Sequence, residues 1–215
     1  MEQKRNTFST ETETSLGYIV YKPENFTPGL PMIVFLHGAG ERGTNLDLVN
    51  VNAIPKYLSE GSMKLPAVVL CPQCPEGLVW NNVVVPLKAL IDRVAAEYEV
   101  DTDRISITGI SMGGFGTWEM GVTYGNYFSC IAPVCGGGLS WQCSGDMLKS
   151  VPVWAFHGDA DSIVPVKNSL EMVDKLNAAG GHAKLTLFHG VNHNSWDSAY
   201  LETKVTDWLL SHKKH

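Results

Sequence analysis

Two hydrophobic periods divide the chain. Residues 8–21 alternate polar and apolar around Leu16, Tyr18 and Val20 and stop at Lys22-Pro23, which predicts one or two antiparallel edge strands. Residues 31–36 are continuously apolar between Pro and Gly, the pattern of a strand buried on both faces. Further strands are predicted at 67–70, around Ile105 and Ile107, at 130–134, at 153–156 and at 183–188. Helical spacing lies between them: Leu87, Leu90, Ile91 and Val94 recur at i, i+3, i+4 and i+7 within 83–98. A glycine-rich helix is expected after residue 112, an amphipathic one at 166–179 ending at Gly180-Gly181, and a last one at 198–210. Residues 45–58 read as a helix or a broken helix. Strands alternate with helices from residue 31 onward, so the expected fold class is α/β: a mostly parallel sheet with helices on both faces and antiparallel strands at its N-terminal edge. With no repeat or linker visible, residues 1–215 read as one domain.

Candidate chemistry begins where the strand around Ile107 meets the helix, at Gly109-Ile110-Ser111-Met112-Gly113. A serine between strand and helix sits on a turn so tight that its neighbours must be glycine or nearly so, and its hydroxyl stands exposed above the sheet. In a chain with 21 Gly the motif alone is weak, and a capping serine in a plain turn is the alternative. Context strengthens it. A nucleophilic serine needs a base, a group that orients the base and donors for an oxyanion, all beyond the carboxyl ends of the strands.

The chain order serine, acid, histidine then sorts the seven histidines. His37 and His157 come too early, His182 lies at the wrong end of the last strand, and His212 and His215 belong to the tail. His189 ends a strand and is expected to be pinned by backbone contacts. His193, in mid-loop, is the predicted base. Of Asp159 and Asp161 on one loop, the nearer is assigned to holding its own turn, which leaves Asp161 as the predicted acid. The expected oxyanion donors are the N–H groups of Met112 and of Ala39, with Gly38 and Gly40 letting the backbone approach a substrate. Glu41 and Arg42 read either as a solvated pair or as a clamp on that loop. Trp80, Trp141, Val164 and Trp196 fall on loops at the same edge and form a candidate apolar or sugar-stacking wall, although tryptophans are more often core than pocket.

Composition narrows the partners. A formal charge of -6 and a pI near 5.6 argue against nucleic acid. Apolar runs are short, so no membrane insertion is expected. No apolar stretch follows Lys4-Arg5, so no secretory signal is read and a cytoplasmic location is expected, with secretion the alternative if a leader was removed. Five cysteines, an odd number in a chain large enough not to need staples, favour free thiols. Cys71 and Cys74 are followed by Pro75 and lack a second pair, which disfavours zinc or redox chemistry. No metal or organic cofactor is expected.

The elbow, His37-Gly-Ala-Gly-Glu-Arg-Gly43, Pro72-Gln-Cys-Pro75, Asp103-Arg-Ile105, His157-Gly-Asp-Ala-Asp-Ser-Ile-Val-Pro165 and His193-Asn-Ser-Trp-Asp197 complete a set. With them, residues 16–212 resemble the phospholipase/carboxylesterase group of α/β-hydrolases. The similarity is greatest to the branch labelled predicted peptidases, related to polyhydroxybutyrate depolymerases and feruloyl esterases. The resemblance implies the α/β-hydrolase fold, a triad of Ser111, Asp161 and His193, oxyanion donors at Ala39 and Met112, and carboxylic ester hydrolysis through an acyl-enzyme. At 215 residues there is no room for a large cap. An open site is therefore expected, taking a small-molecule ester with a short or aromatic acyl group in preference to long lipids. Rival readings are a small serine peptidase, a non-catalytic hydrolase fold used for binding, and a redox module on Cys71 and Cys74.

Overall fold

The computed structural model describes residues 1–10 and 15–214. Eight strands form one sheet in the order β1-β2-β4-β3-β5-β6-β7-β8. β1 (Glu2–Ser9) pairs antiparallel with β2 (Ser15–Lys22), and β2 pairs antiparallel with β4 (Val68–Gln73) on its other side. Of these two antiparallel strands β1 alone lies at the sheet edge, which corrects the expectation for residues 8–21. Its first half is polar and exposed, so no alternation marked it. Residues 11–14 of that predicted stretch, and His215, lie outside the described residues. β3 (Met32–Leu36), β4, β5 (Ile105–Ile110), β6 (Cys130–Val134), β7 (Val153–Gly158) and β8 (Ala183–Phe188) run parallel.

The continuous apolar runs are explained by two cores. Met32, Val34 and Leu36 join one, packed under α2 (Val84–Glu97), α3 (Met112–Tyr124) and α4 (Lys167–Ala178). Ile33 and Phe35 point the other way, under α1 (Ala53–Ser59) and α5 (Val205–Ser211). Side chains alternate across a strand, so a sheet covered on both faces needs apolar residues at every position.

Elsewhere the regular alternation of strand and helix gives way. β6 and β7 are joined by 3₁₀ turns, Ser140–Ser144 and Asp146–Leu148, in place of a helix. The predicted last helix is split into a π turn at Ser198–Glu202 and α5. Thr203 makes the break: its hydroxyl donates to Ala199 O at 2.5 Å and accepts from Val205 N–H at 3.1 Å, closing the first segment and holding the turn that precedes the next. Residues 45–58 resolve into a 3₁₀ turn, Leu46–Asn50, and α1. All five cysteines are free and buried.

Candidate active site

Ser111 occupies the single residue between β5 and α3, with φ 54° and ψ −118°. Such a conformation costs a non-glycine residue on the order of 1–3 kcal/mol and persists only where its surroundings impose it. Here they do. Ser111 N–H donates to Val134 O at 3.0 Å and lies 3.3 Å from Cys135 Sγ, and Ser111 O accepts from Phe115 N–H at 3.0 Å. Backbone packs on backbone around it: a Cβ on Gly113 would fall 1.9 Å from Leu36 O, and one on Gly109 2.5 Å from Gly113 O.

His193 bridges serine and acid. Its Nε2 lies 2.8 Å from Ser111 Oγ and its Nδ1 2.7 Å from Asp161 Oδ2. Asp161 Oδ1 accepts from the amides of Ile163 at 2.9 Å and Val164 at 2.8 Å. Burial pushes the Asp161 carboxyl up, but the His193 bond and the Val164 and Ile163 amides outweigh it and hold the group below its ordinary value. An ionised Asp161 keeps the His193 proton on Nδ1. Nε2 is thereby left as the acceptor for the Ser111 hydroxyl, the arrangement a general base requires.

Cross-loop bonds fix the spacing of acid and base. Asn192 Oδ1 accepts from Ser162 N–H, Ser162 Oγ and His193 N–H at 3.0, 3.2 and 2.8 Å. Asp159 accepts from Gly190 N–H at 2.7 Å and pairs with His189 Nδ1 at 2.8 Å. Asp159 is thus structural, as expected, but it ties the histidine loop rather than its own turn. The pinning of His189 comes from that carboxylate and not from backbone contacts.

Met112 and Ala39 each begin a helical turn, α3 and the 3₁₀ turn Ala39–Glu41, where N–H groups have no intrahelical acceptor. The two turns adjoin: a Cβ on Gly38 would stand 3.7 Å from Ser111 Cβ. Gly40 faces open space, so protein packing does not require glycine there. The loop is braced by groups the sequence left undecided. Cys74 N–H donates to His37 Nε2 at 2.9 Å, which puts the imidazole proton on Nδ1 for Gly38 O at 2.6 Å. Burial pushes His37 down to about 4, so the ring is neutral. Arg42 Nε donates to Ala39 O at 2.9 Å, and buried Glu41 accepts from Asn52 Nδ2 at 2.5 Å. Glu41 and Arg42 are a clamp, not a solvated pair.

Among the wall candidates, Trp80 is a correction. It is fully buried, its Nε1–H donates to His37 O at 2.9 Å, and it packs where α3 has Gly116, whose Cβ would lie 2.5 Å from Trp80 Cβ. Trp196 stands edge-on to His193 with ring centroids 5.6 Å apart. Trp141 is exposed on the turn after β6, and Ile163, which the sequence did not single out, is equally exposed on the acid loop. Val164 is half-buried and acts through its main chain on Asp161. Among the described residues, ligand-like spacing for a metal occurs at Cys135, Asp161 and His193, within 4.8 Å of one another. Asp161 and His193 are already bonded to each other, and Cys135 Sγ faces Ser111 N–H.

A second Ser–His pair meets the same acid. His157 Nδ1 lies 2.7 Å from Ser169 Oγ, and its Nε2 lies 2.9 Å from Val164 O and 3.2 Å from Asp161 Oδ2. Both residues are fully buried. Chain order had set His157 aside as a base and offered no sign of this contact.

Known proteins share this framework. The family model described as the dienelactone hydrolase family matches residues 75–199, a span that holds Ser111, Asp161 and His193. The chain belongs to that family. This dienelactone hydrolase family member is 26% identical over 164 residues to a bifunctional acetylxylan esterase/xylanase of Neocallimastix patriciarum, covering 74% of the chain and 23% of that protein. It is also 26% identical over 164 residues to the Aspergillus terreus protein named "Probable feruloyl esterase C", covering 74% of the chain and 59% of that protein. A crystal structure of a thermostable esterase superposes with a TM-score of 0.85 and 30% identity over 98% of the chain and 63% of that chain. The chain therefore spans less than two thirds of each of these relatives. The α/β-hydrolase fold and the kinship with feruloyl esterases, both expected from the motifs, are borne out.

Proposed function

We propose that the chain is a serine carboxylesterase that hydrolyses small or aromatic carboxylic esters through an acyl-Ser111 intermediate. One observation carries this reading: the unbroken path from Ser111 Oγ through His193 to Asp161 Oδ2, with separations of 2.8 and 2.7 Å. Ser111 Oγ attacks the ester carbonyl while His193 Nε2 takes its proton, and Asp161 stabilises the imidazolium that forms. The Met112 and Ala39 amides receive the oxyanion, where a single donor is worth about 10²–10³ in kcat. His193 returns the proton to the departing alcohol, then deprotonates the water that attacks acyl-Ser111. Trp141, Ile163 and Trp196 offer apolar surface to an aromatic acyl group or a sugar. Relatives named as acetylxylan and feruloyl esterases support small and aromatic acyl groups.

The test is hydrolysis of p-nitrophenyl acetate and butyrate by the wild type and Ser111→Ala in parallel. A kcat loss on the order of 10⁴–10⁶ is expected. Equal, slow rates would remove the assignment. A series of acyl lengths, with feruloyl esters and a long-chain triglyceride, then tests the acyl preference, which fails if the triglyceride is hydrolysed best.

A further inference from the structure

Asp161 serves two imidazoles at one oxygen. Oδ2 receives His193 Nδ1 at 2.7 Å and lies 3.2 Å from His157 Nε2, while Oδ1 holds the Ile163 and Val164 amides. A carbonyl oxygen only accepts, so the 2.9 Å contact of His157 Nε2 with Val164 O places a proton on Nε2. That proton is forked between Val164 O and Asp161 Oδ2. On the far side of the ring, Ser169 has one hydrogen to divide between His157 Nδ1 at 2.7 Å and Gly136 O at 3.0 Å. Burial holds the His157 imidazole below its ordinary pKa, against the pull of Val164 and Asp161. The neutral ring accordingly takes the Ser169 proton at Nδ1, and the tautomer is fixed.

We propose that His157 is a positioning residue for the acid: its Nε2–H, fixed by Ser169, holds Asp161 Oδ2 in line with His193 Nδ1 and draws off part of the carboxylate charge. A carboxylate that shares its charge with a second N–H donor stabilises the imidazolium formed during the reaction less than one devoted to a single ring. The proposal rests on the reading of Ser111 and His193 as nucleophile and base. Other groups facing the pair are accounted for. Cys135, from the end of β6, is pushed up to about 12 by burial and stays a neutral thiol. Ser111 and the Trp196 ring face His193, and Asp159 and His189 are bonded to each other.

The experiment measures kcat/KM for p-nitrophenyl acetate against pH in the wild type, His157→Leu, His157→Gln and Ser169→Ala. Each rate is normalised to the active-site concentration titrated with an organophosphonate, and each fold is checked by circular dichroism. Losing one hydrogen bond to a charged group predicts a drop of about tenfold in kcat for His157→Leu with KM unchanged. Its acid limb should move up by about half a pH unit or more, because Asp161 would then bind the His193 imidazolium more strongly. Gln, which carries an N–H near the Nε2 position, should restore the limb. A limb that stays in place in folded His157→Leu, with only the titrated active fraction reduced, overturns the proposal. If His157→Leu fails to fold, Ser169→Ala decides, with a smaller shift in the same direction expected and an unmoved limb fatal. Ser111→Ala separates the two levels: an unmoved limb with Ser111→Ala inactive sinks the His157 role alone, whereas an active Ser111→Ala sinks the esterase reading beneath it.

Discussion

Ser111–His193 and Ser169–His157 reach the same carboxylate oxygen, Asp161 Oδ2, with serine–imidazole distances of 2.8 and 2.7 Å. Hydrogen-bond lengths do not tell them apart; their surroundings do. Ser169 lies in the first turn of α4 with no exposed surface, and the group beyond its hydroxyl is the Gly136 carbonyl, which repels a developing oxyanion. Ser111 sits on a positive-φ turn beside the first amides of two helical turns, and the His193 side chain keeps 19% of its surface exposed. A serine, a histidine and an acid in sequence make a proton path. Reaction further requires access for a carbonyl and donors aimed at where its charge will develop.

The largest effect that could break this comparison is the contrast between Ser111→Ala and Ser169→Ala. The first should lose on the order of 10⁴–10⁶ in kcat and the second no more than about tenfold, and comparable losses measured with p-nitrophenyl acetate would erase the distinction drawn between the pairs. Asp161→Asn strikes both pairs at once. Its amide turns an N–H toward an imidazole and favours the wrong His193 tautomer, so kcat should fall about 10⁴-fold, while Asp159→Asn, which touches only the loop ties, should leave kcat within a few-fold.

Smaller still is the effect of loosening the loop that carries Ala39, the proposed oxyanion donor. Arg42→Ala removes the donor to Ala39 O and should lower kcat by about tenfold or more with KM little changed; a change confined to KM would place Arg42 in substrate binding instead. The pH dependence of stability sharpens the contrast between buried and accessible histidines. His37 has a folded pKa of about 4 against 6.5, so its neutral form contributes stability above pH 6.5 that is lost as pH falls toward 4. About 2 kcal/mol should disappear between pH 7 and pH 5, with His157 adding to the loss in the same direction. Urea unfolding at the two pH values measures it, and His37→Gln should flatten the difference.

Much of the site was legible because its signals are local. The Gly109–Gly113 spacing reports the steric demand of one turn, and chain order separates His193 from every other histidine but His189, which its place at a strand end sets aside. Trp80 misled because its place in a loop says nothing about which way the loop turns; the room left by Gly116 draws it inward. Chain order set His157 aside as a base, and its bond to the acid arises only once β7 and the following loop fold back on each other. Glu41 read either as a solvated charge or as part of a clamp, and only Asn52 and the end of β4 closing over it decided between the two. β1 carried no alternation, since its pairing with β2 depends on backbone hydrogen bonds that any side chains allow.

By itself the sequence determined the strands other than β1 and most helices, through the periods of apolar residues, and the elbow, through glycines that leave room for backbone contacts. Those properties are settled by near neighbours. Tertiary structure alone decided which polar groups share an atom and which are shut away from substrate. His193 meets residues 32 and 82 positions distant, and Asp161 gathers donors from three segments. Hydrogen-bond partners and burial at such separations are products of packing, and no local pattern along the chain encodes them.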